Sequence, residues 1–134
     1  MKHKKAVAKK VVSREPQVYE RVRKICMTYP EATEKSSWGH PNFRAGSKTF
    51  VTLEIWEGRP SITLRLEAEQ VQELLREPEF FATPYGRGQW ISRYLDGRPS
   101  WRGIRALIEQ SYRLVMPQVA ASARRLRNSS GPKP

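Results

Sequence analysis

Apolar positions in the first part of the chain recur at helical spacing. Pro16 is a favourable first helical residue, and Pro30 stops the run. Between them the helical period is carried by Val18, Val22, Ile25 and Tyr29. This pattern predicts a first helix over about residues 16–28.

Residues 41–66 follow a period of two instead, with turn residues between the runs. Asn42–Ala45, Lys48–Trp56 and Ser61–Leu66 are predicted as strands of an antiparallel meander. The side chains expected to point into the core are Val51, Leu53, Ile55, Ile62, Leu64 and Leu66. Those expected on the outer face are Lys48, Phe50, Thr52, Glu54, Trp56, Ser61, Thr63 and Arg65.

The remaining pattern alternates between helix and strand. A second helix is predicted over about 67–77, a loop over 80–88 and a strand over 89–95. Ser100 is a candidate N-cap for a long helix that Pro117 is expected to break or kink, with a separate basic helix over about 119–127. Antiparallel strands with flanking helices predict an α+β two-layer sandwich, with the helices packed on one face of the sheet.

The charge of the chain lies mostly at its ends. The net charge is +12, yet residues 1–14 carry six basic residues and residues 119–134 carry four, with no acidic residue in either. The central part of the chain contains the other 15 basic residues and all 13 acidic ones, so that its net charge is near +2. We therefore expect three units: a basic disordered arm (1–15), one domain (16–117) and a basic extension (118–134) that is partly helical and then disordered. Such tails either bind polyanions or keep a protein in solution.

Few residues are available for catalysis or for metal binding. Cys26 is the only cysteine and lies on the apolar stripe of the first helix, which indicates a buried, inert thiol. His40 lies in a predicted turn, where it is either a general base or a structural residue. Zinc-ligand spacing and phosphate-binding glycine loops are both missing. We therefore expect no enzyme, no metal and no cofactor.

No apolar run is long enough to span a bilayer, and the first residues are lysine-rich rather than apolar. These features predict a cytoplasmic protein without a membrane partner.

The binding interpretation rests on cations placed among aromatic residues. Such a combination on the outer sheet face suits phosphate contact together with base stacking. The alternative is that a helix covers this face, or that the aromatic residues pack on one another. A second basic group lies within residues 87–113, which total +4, whereas residues 67–79 total −4. The basic group comprises Arg87, Arg93, Arg98, Arg102, Arg105 and Arg113.

Several short motifs, in this order, resemble the MmcQ/YjbR family over about residues 16–117. They are Tyr29-Pro-Glu-Ala-Thr-Glu34, Trp38-Gly-His-Pro-Asn-Phe-Arg44, Gly46-Ser-Lys-Thr-Phe50, Pro84-Tyr-Gly-Arg-Gly-Gln-Trp90 and Ser111-Tyr-Arg-Leu-Val115. The resemblance implies a fold similar to secretion chaperones and frataxin-like proteins, described as a double-wing DNA-binding fold. It maps the family's glycine-lysine-aromatic strand entry onto Gly46, Lys48 and Phe50, and the lysine of the next strand onto Arg65.

The sequence thus predicts a DNA-binding protein, driven by charge and weakly sequence-selective, with duplex DNA as its partner. The alternative is a protein-interaction or chaperone-like module that uses the aromatic sheet face. The residues expected to contact nucleic acid are Arg44, Lys48, Phe50, Arg65, Arg87, Arg93, Lys4, Lys5, Lys9 and Lys10.

Overall fold

The computed structural model confirms an α+β fold, in which helices accompany one antiparallel sheet. It describes residues 15–37, 39–84 and 88–130, except the side chains of Ser37 and of residues 118–130. The helices are α1 (Val18–Cys26), α2 (Ala68–Leu74) and α3 (Trp101–Ser130). The strands are β1 (Ala32–Ser37), β2 (His40–Ala45), β3 (Lys48–Trp56), β4 (Arg59–Arg65), β5 (Phe80–Ala82) and β6 (Trp90–Tyr94).

The sheet order is β1-β2-β3-β4-β6-β5, and every neighbouring pair is antiparallel. The two edge strands, β1 and β5, were not predicted. Strand β1 has the polar sequence Ala-Thr-Glu-Lys-Ser-Ser, and its pairing with β2 rests on backbone hydrogen bonds that require no apolar alternation. Strand β5 has only three residues, which is too short for a periodic signal.

One face of the sheet carries the core. Val51 pairs with Leu64, and Leu64 pairs with Ile91, so that three central strands present apolar side chains to the same side. Helix α3 packs against β2, β3 and β4, and Ile104, Ile108 and Val115 from this helix join the core. Helix α1 joins it through its apolar stripe, which confirms the predicted two-layer arrangement.

Arg23 fastens α1 to the edge of the sheet. Its guanidinium donates to the carboxylates of Glu15, Glu20 and Glu34, with the Nε–Oε1 distance to Glu34 on β1 being 2.8 Å. The hydrogen bonds that Arg23 donates to the Glu34 carboxylate are the main reason why the pKa of Arg23 is raised. One cation thus holds three acidic side chains from two elements and the segment before α1.

A β-bulge changes the direction of Phe50. Phe43 pairs with Val51, but the next residue, Arg44, pairs with Thr49, so that Phe50 is left as the extra residue of β3. A bulge of this kind interrupts the alternation of side chains along a strand. Phe50 is fully buried beside the equally buried Val51, and the prediction that it lies on the outer face is wrong.

The hydroxyl of Ser111 on α3 forms hydrogen bonds with two strand backbone groups next to the bulge. The β3–β4 register ends at Val51 and Leu64, and beyond it the Ser111 hydroxyl accepts from the Arg65 N–H at 2.9 Å and donates to the Phe50 carbonyl at 2.6 Å. Because buried backbone groups need partners, this hydroxyl takes the place of a cross-strand bond. It also attaches α3 to two adjacent strands.

Three aromatic rings pack around this junction. Tyr29 stacks on Tyr112 with a centroid distance of 4.5 Å, and Phe50 meets both rings edge-on. The Tyr112 hydroxyl donates to the Pro30 carbonyl at 2.8 Å. The cluster therefore joins α3, β3 and the turn after α1, and it is packed as a core rather than as a binding surface.

Helix α3 continues through Pro117 to Ser130, so the prediction of a separate helix after the proline is wrong. A proline removes one backbone hydrogen bond from a helix interior. The following residues, which are rich in alanine and arginine, favour the helix on the far side of it. At the other end, the Ser100 hydroxyl accepts from the Gly103 N–H at 3.2 Å, which confirms the predicted cap.

Three further side chains differ from their predicted environments. Ile55, expected in the core, is 44% exposed near the end of β3. Ser61 and Thr63, expected to face outward, are fully buried. Their hydroxyls are satisfied there, since Ser61 donates to the Glu54 carbonyl and Thr63 shares a 2.7 Å hydrogen bond with Ser92.

We expect Ser111→Ala to destabilise the fold strongly. The substitution leaves the Phe50 carbonyl and the Arg65 N–H without this partner, and each unsatisfied buried group costs about 1–3 kcal/mol. Urea denaturation followed by circular dichroism measures the change. Ser36→Ala, on the exposed edge strand, is the matched control and should lie within about 0.5 kcal/mol of the parent. Equal stabilities for the two variants would contradict the role of Ser111.

Cys26 is fully buried in the core, and we expect it to be unreactive in the folded protein. Burial, assisted by the Glu34 carboxylate, raises the pKa of the Cys26 thiol well above its usual value of about 8.5. Because the thiolate is the reactive form, alkylation by iodoacetamide should be much slower than in the unfolded chain at every pH between about 7 and about 9. The unfolded chain is the control, and its rate should rise with pH. An alkylation rate in the folded protein close to that of the unfolded chain would show that the thiol is accessible and ionises normally.

Candidate nucleic-acid interface

The predicted nucleic-acid residues do not come together on one surface. Lys4, Lys5, Lys9, Lys10 and Arg87 lie outside the described residues, so their role stays a prediction. Phe50 cannot stack on a base from its fully buried position in the aromatic cluster. Four of the predicted residues are left for comparison, namely Arg44, Lys48, Arg65 and Arg93.

Arg93 points to the helical side of the sheet and is engaged in the protein itself. Its side chain is only 12% exposed, and its Nη1 donates to the Tyr94 carbonyl at 2.7 Å. The guanidinium lies 5.4 Å from the centre of the Phe80 ring and 3.8 Å from the Glu79 carboxylate. These contacts make Arg93 a structural residue at the β5–β6 edge.

Arg44 and Arg65 lie on the opposite sheet face, on either side of the bulge. Both are half-buried, and the Arg65 Nη2 donates to the Gln89 side chain at 3.1 Å. Trp90 is the cross-strand neighbour of Arg65, so an aromatic ring that was not among the predicted contacts takes the place expected for Phe50. Lys48 is exposed at the start of β3.

A larger group of exposed cations lies on the helices. Arg21 and Lys24 are exposed on α1, Arg102 and Arg105 are exposed on α3, and each pair is separated by three residues on one helix. The Arg21 guanidinium lies 4.6 Å from the centre of the Trp101 ring, which brings the beginnings of α1 and α3 together. We call these four residues the helical ridge.

The acidic residues nearest in sequence to the ridge are bound to other cations. Glu20 pairs with Arg23, Glu109 pairs with Arg113, and Asp96 pairs with Arg59. Within the described part of the chain, none of the four ridge residues forms an ion pair. Their positive charge is therefore directed to the solvent.

The sequence pattern identifies only two of the four residues of the helical ridge. Arg102 and Arg105 belong to the basic group within residues 87–113, whereas Arg21 and Lys24 were not singled out. On α1, these two alternate with the apolar stripe of Val22 and Ile25 and must therefore lie on its solvent side. Only the contact between Arg21 on α1 and Trp101 on α3 brings the two pairs close to each other.

An open cleft of about 470 Å³ lies beside the ridge. It is formed where the starts of α1 and α3 meet the turns at one end of the sheet, and both Arg21 and Trp101 line it. Its other lining residues are Pro16, Gln17, Val18, Pro60, Leu95, Asp96, Gly97 and Pro99. The cleft therefore combines a cation, an aromatic ring and apolar walls.

Neither a metal site nor a membrane segment emerges from the described residues. Within residues 15–37, 39–84 and 88–130, no three His, Cys, Asp or Glu side chains lie close enough to hold a metal. His40 begins β2 and is half-buried. The helices in this part of the protein are also too polar or too short to cross a bilayer.

Solved structures from three bacteria share this fold. A Pseudomonas syringae protein is 20% identical with a TM-score of 0.62, and the match covers 71% of this chain and 96% of that one. A Deinococcus radiodurans protein with a DUF419 domain is 19% identical with a TM-score of 0.65, covering 72% and 77%. A Bacillus subtilis protein of the DUF1801 family is 15% identical with a TM-score of 0.50, covering 69% and 73%.

No curated protein matches the chain. The model of the YjbR family does match, over residues 27–114, which include the bulge, the Ser111 junction and the part of the ridge on α3. The match spans well over half of the chain and confirms the resemblance drawn from the motifs. The chain therefore belongs to the YjbR family.

Proposed function

We propose that the protein binds nucleic acid, with duplex DNA as its partner, through charge and with little sequence selectivity. The observation that carries this proposal is the helical ridge, four exposed cations without ion-pair partners among the described residues. Cations of this kind neutralise phosphates and release the counterions condensed on DNA. The proposal assigns the protein no catalytic step, and it places the binding in the cytoplasm.

The ridge offers phosphate contacts and little that could read base edges. Arginine and lysine side chains spaced along two packed helices reach a phosphate backbone, which carries no sequence information directly. The basic segments at 1–14 and 119–134, whose charges lie outside the described side chains, add ten further basic residues. Together these features support affinity that depends on salt rather than on sequence.

The sheet side is less suited to phosphate than the sequence pattern indicated. Arg65 is bonded to Gln89 and Arg93 is held by Tyr94 and Glu79, so both would have to give up contacts within the fold. The exposed Lys48 remains available there. We therefore assign the main contacts of the folded domain to the helices.

We expect neutralisation of the ridge to weaken DNA binding. In fluorescence-anisotropy titrations with a labelled duplex, Lys24→Gln, Arg102→Gln and Arg105→Gln together should lower affinity similarly for unrelated sequences. If each residue contacts one phosphate, the slope of log K against log salt should fall by about 2–3, at roughly 0.9 per contact. Arg21 is retained in this variant because it also packs on Trp101.

The matched control removes three exposed cations from other surfaces, by Lys35→Gln, Lys48→Gln and Arg76→Gln. It has the same net charge as the ridge variant but should lose at most one phosphate contact, that of Lys48, so that its slope should fall by no more than about 1. Equal losses in the two variants would show that net charge alone determines binding. Absence of binding by the intact chain at about 50 mM salt, where phosphate contacts are strong, would contradict the nucleic-acid proposal itself.

A further inference from the structure

The cleft beside the helical ridge has walls that the fold itself holds in place. At the start of α1 the Tyr19 N–H donates to the Pro16 carbonyl at 3.0 Å, and at the end of the sheet the Leu95 N–H donates to the Pro60 carbonyl at 2.8 Å. Trp101 is the first residue of α3. Because backbone hydrogen bonds and a helix start position these lining residues, the cleft is formed before any ligand enters, as is usual for ligand sites.

The size and the lining of the cleft suit a flat, partly apolar group. Its volume of about 470 Å³ lies within the range of about 300–1,000 Å³ that is typical of small-molecule sites. Trp101 is partly exposed there, although it also packs against the core. Aromatic rings favour other flat rings as neighbours. The other apolar lining comes from Pro16, Val18, Pro60, Leu95 and Pro99.

Two charged side chains line the cleft, and they differ in how their charge is compensated. The Asp96 carboxylate accepts two hydrogen bonds from Arg59, at 2.8 and 2.9 Å. Arg21, by contrast, forms no ion pair within the described part of the chain, and its guanidinium lies 4.6 Å from the centre of the Trp101 ring. Since Arg59 compensates Asp96, an anionic group of a ligand would bind at the Arg21 end of the cleft.

A nucleotide with an unpaired base combines a flat ring with an anionic group. Unpaired bases stack on aromatic side chains and on arginine guanidinium planes, and the phosphate accepts hydrogen bonds from arginine. A base inside a duplex would first have to be unpaired and unstacked, which costs free energy. Arg21 belongs both to the cleft and to the helical ridge, so a strand on the ridge lies next to the cleft.

We propose that the cleft binds an unpaired nucleotide at the end of a DNA whose duplex part contacts the helical ridge. The base packs against Trp101 and the apolar walls, and the adjoining phosphate accepts from Arg21. This inference rests on the proposed nucleic-acid binding. It adds a preference for duplexes with single-stranded ends over blunt duplexes.

The test compares labelled DNAs by fluorescence anisotropy with the intact chain at about 50 mM salt. One is a blunt duplex, one is the same duplex with a short single-stranded extension, and one carries an abasic extension of the same length. The two extensions add the same phosphates, and only one of them carries bases. We expect the extension with bases to bind at least about fivefold more tightly than the abasic one, the lower end of the effect of one base–aromatic stack.

Two variants locate this preference on the protein. Trp101→Leu removes the indole but keeps an apolar residue, and it should make the affinities for the two extensions nearly equal. Trp56→Leu is the matched control, since Trp56 is also partly exposed but does not line the cleft, and it should keep the full preference. The readout is the ratio of the two affinities, which a general loss of charge contacts does not change.

The outcomes separate this inference from the proposed function. Blunt duplex binding with equal affinities for the two extensions would overturn the nucleotide site alone, and this comparison needs no variant. A preference that persists in Trp101→Leu would show that the base binds elsewhere and would also overturn it. Absence of binding to every one of these DNAs would contradict the proposed function together with this inference.

Discussion

The hydroxyl of Ser111 is the contact on which the arrangement of this domain depends. It supplies the donor and the acceptor that β3 and β4 no longer exchange beyond the bulge, and it does so from the middle of α3. The bulge turns Phe50 into the core, where Tyr112, next to Ser111, and Tyr29 close around it. The Ser111 hydroxyl thus attaches the longest helix to two strands of the sheet, beside the bulge that places Phe50 in the aromatic cluster.

That constraint determines which side chains of the helices and of the sheet face the solvent. With α3 held over β2, β3 and β4, Arg102 and Arg105 face the solvent, and α1 adds Arg21 and Lys24 beside them. The other sheet face keeps Trp56 and Tyr94 partly exposed, each bonded to a glutamate. The near-neutral charge of the central part of the chain therefore conceals a group of exposed cations on the helices.

The helices and central strands could be predicted because their apolar periods are regular, as in Val22 and Ile25 or Leu53 and Leu64. The edge strands could not, since β1 is polar and β5 has three residues. Phe50 was misplaced because a bulge changes the phase of a strand without changing its composition. The contacts of Arg93 could not be predicted because its burial beside Phe80 is a tertiary property. Only the part of the ridge on α3 could be recognised in the sequence, because the ridge joins residues about 80 positions apart.

The most direct test of where the protein meets nucleic acid is residue-level NMR mapping with a short duplex at low salt. The account predicts that the largest shifts fall on the exposed sides of α1 and α3, at Lys24, Arg102 and Arg105, and that they fade as salt is added. The signals of Trp56 and Tyr94 should remain in place. Shifts concentrated around Lys48 and Arg65, with α1 and α3 unaffected, would contradict the assignment of the interface to the helices.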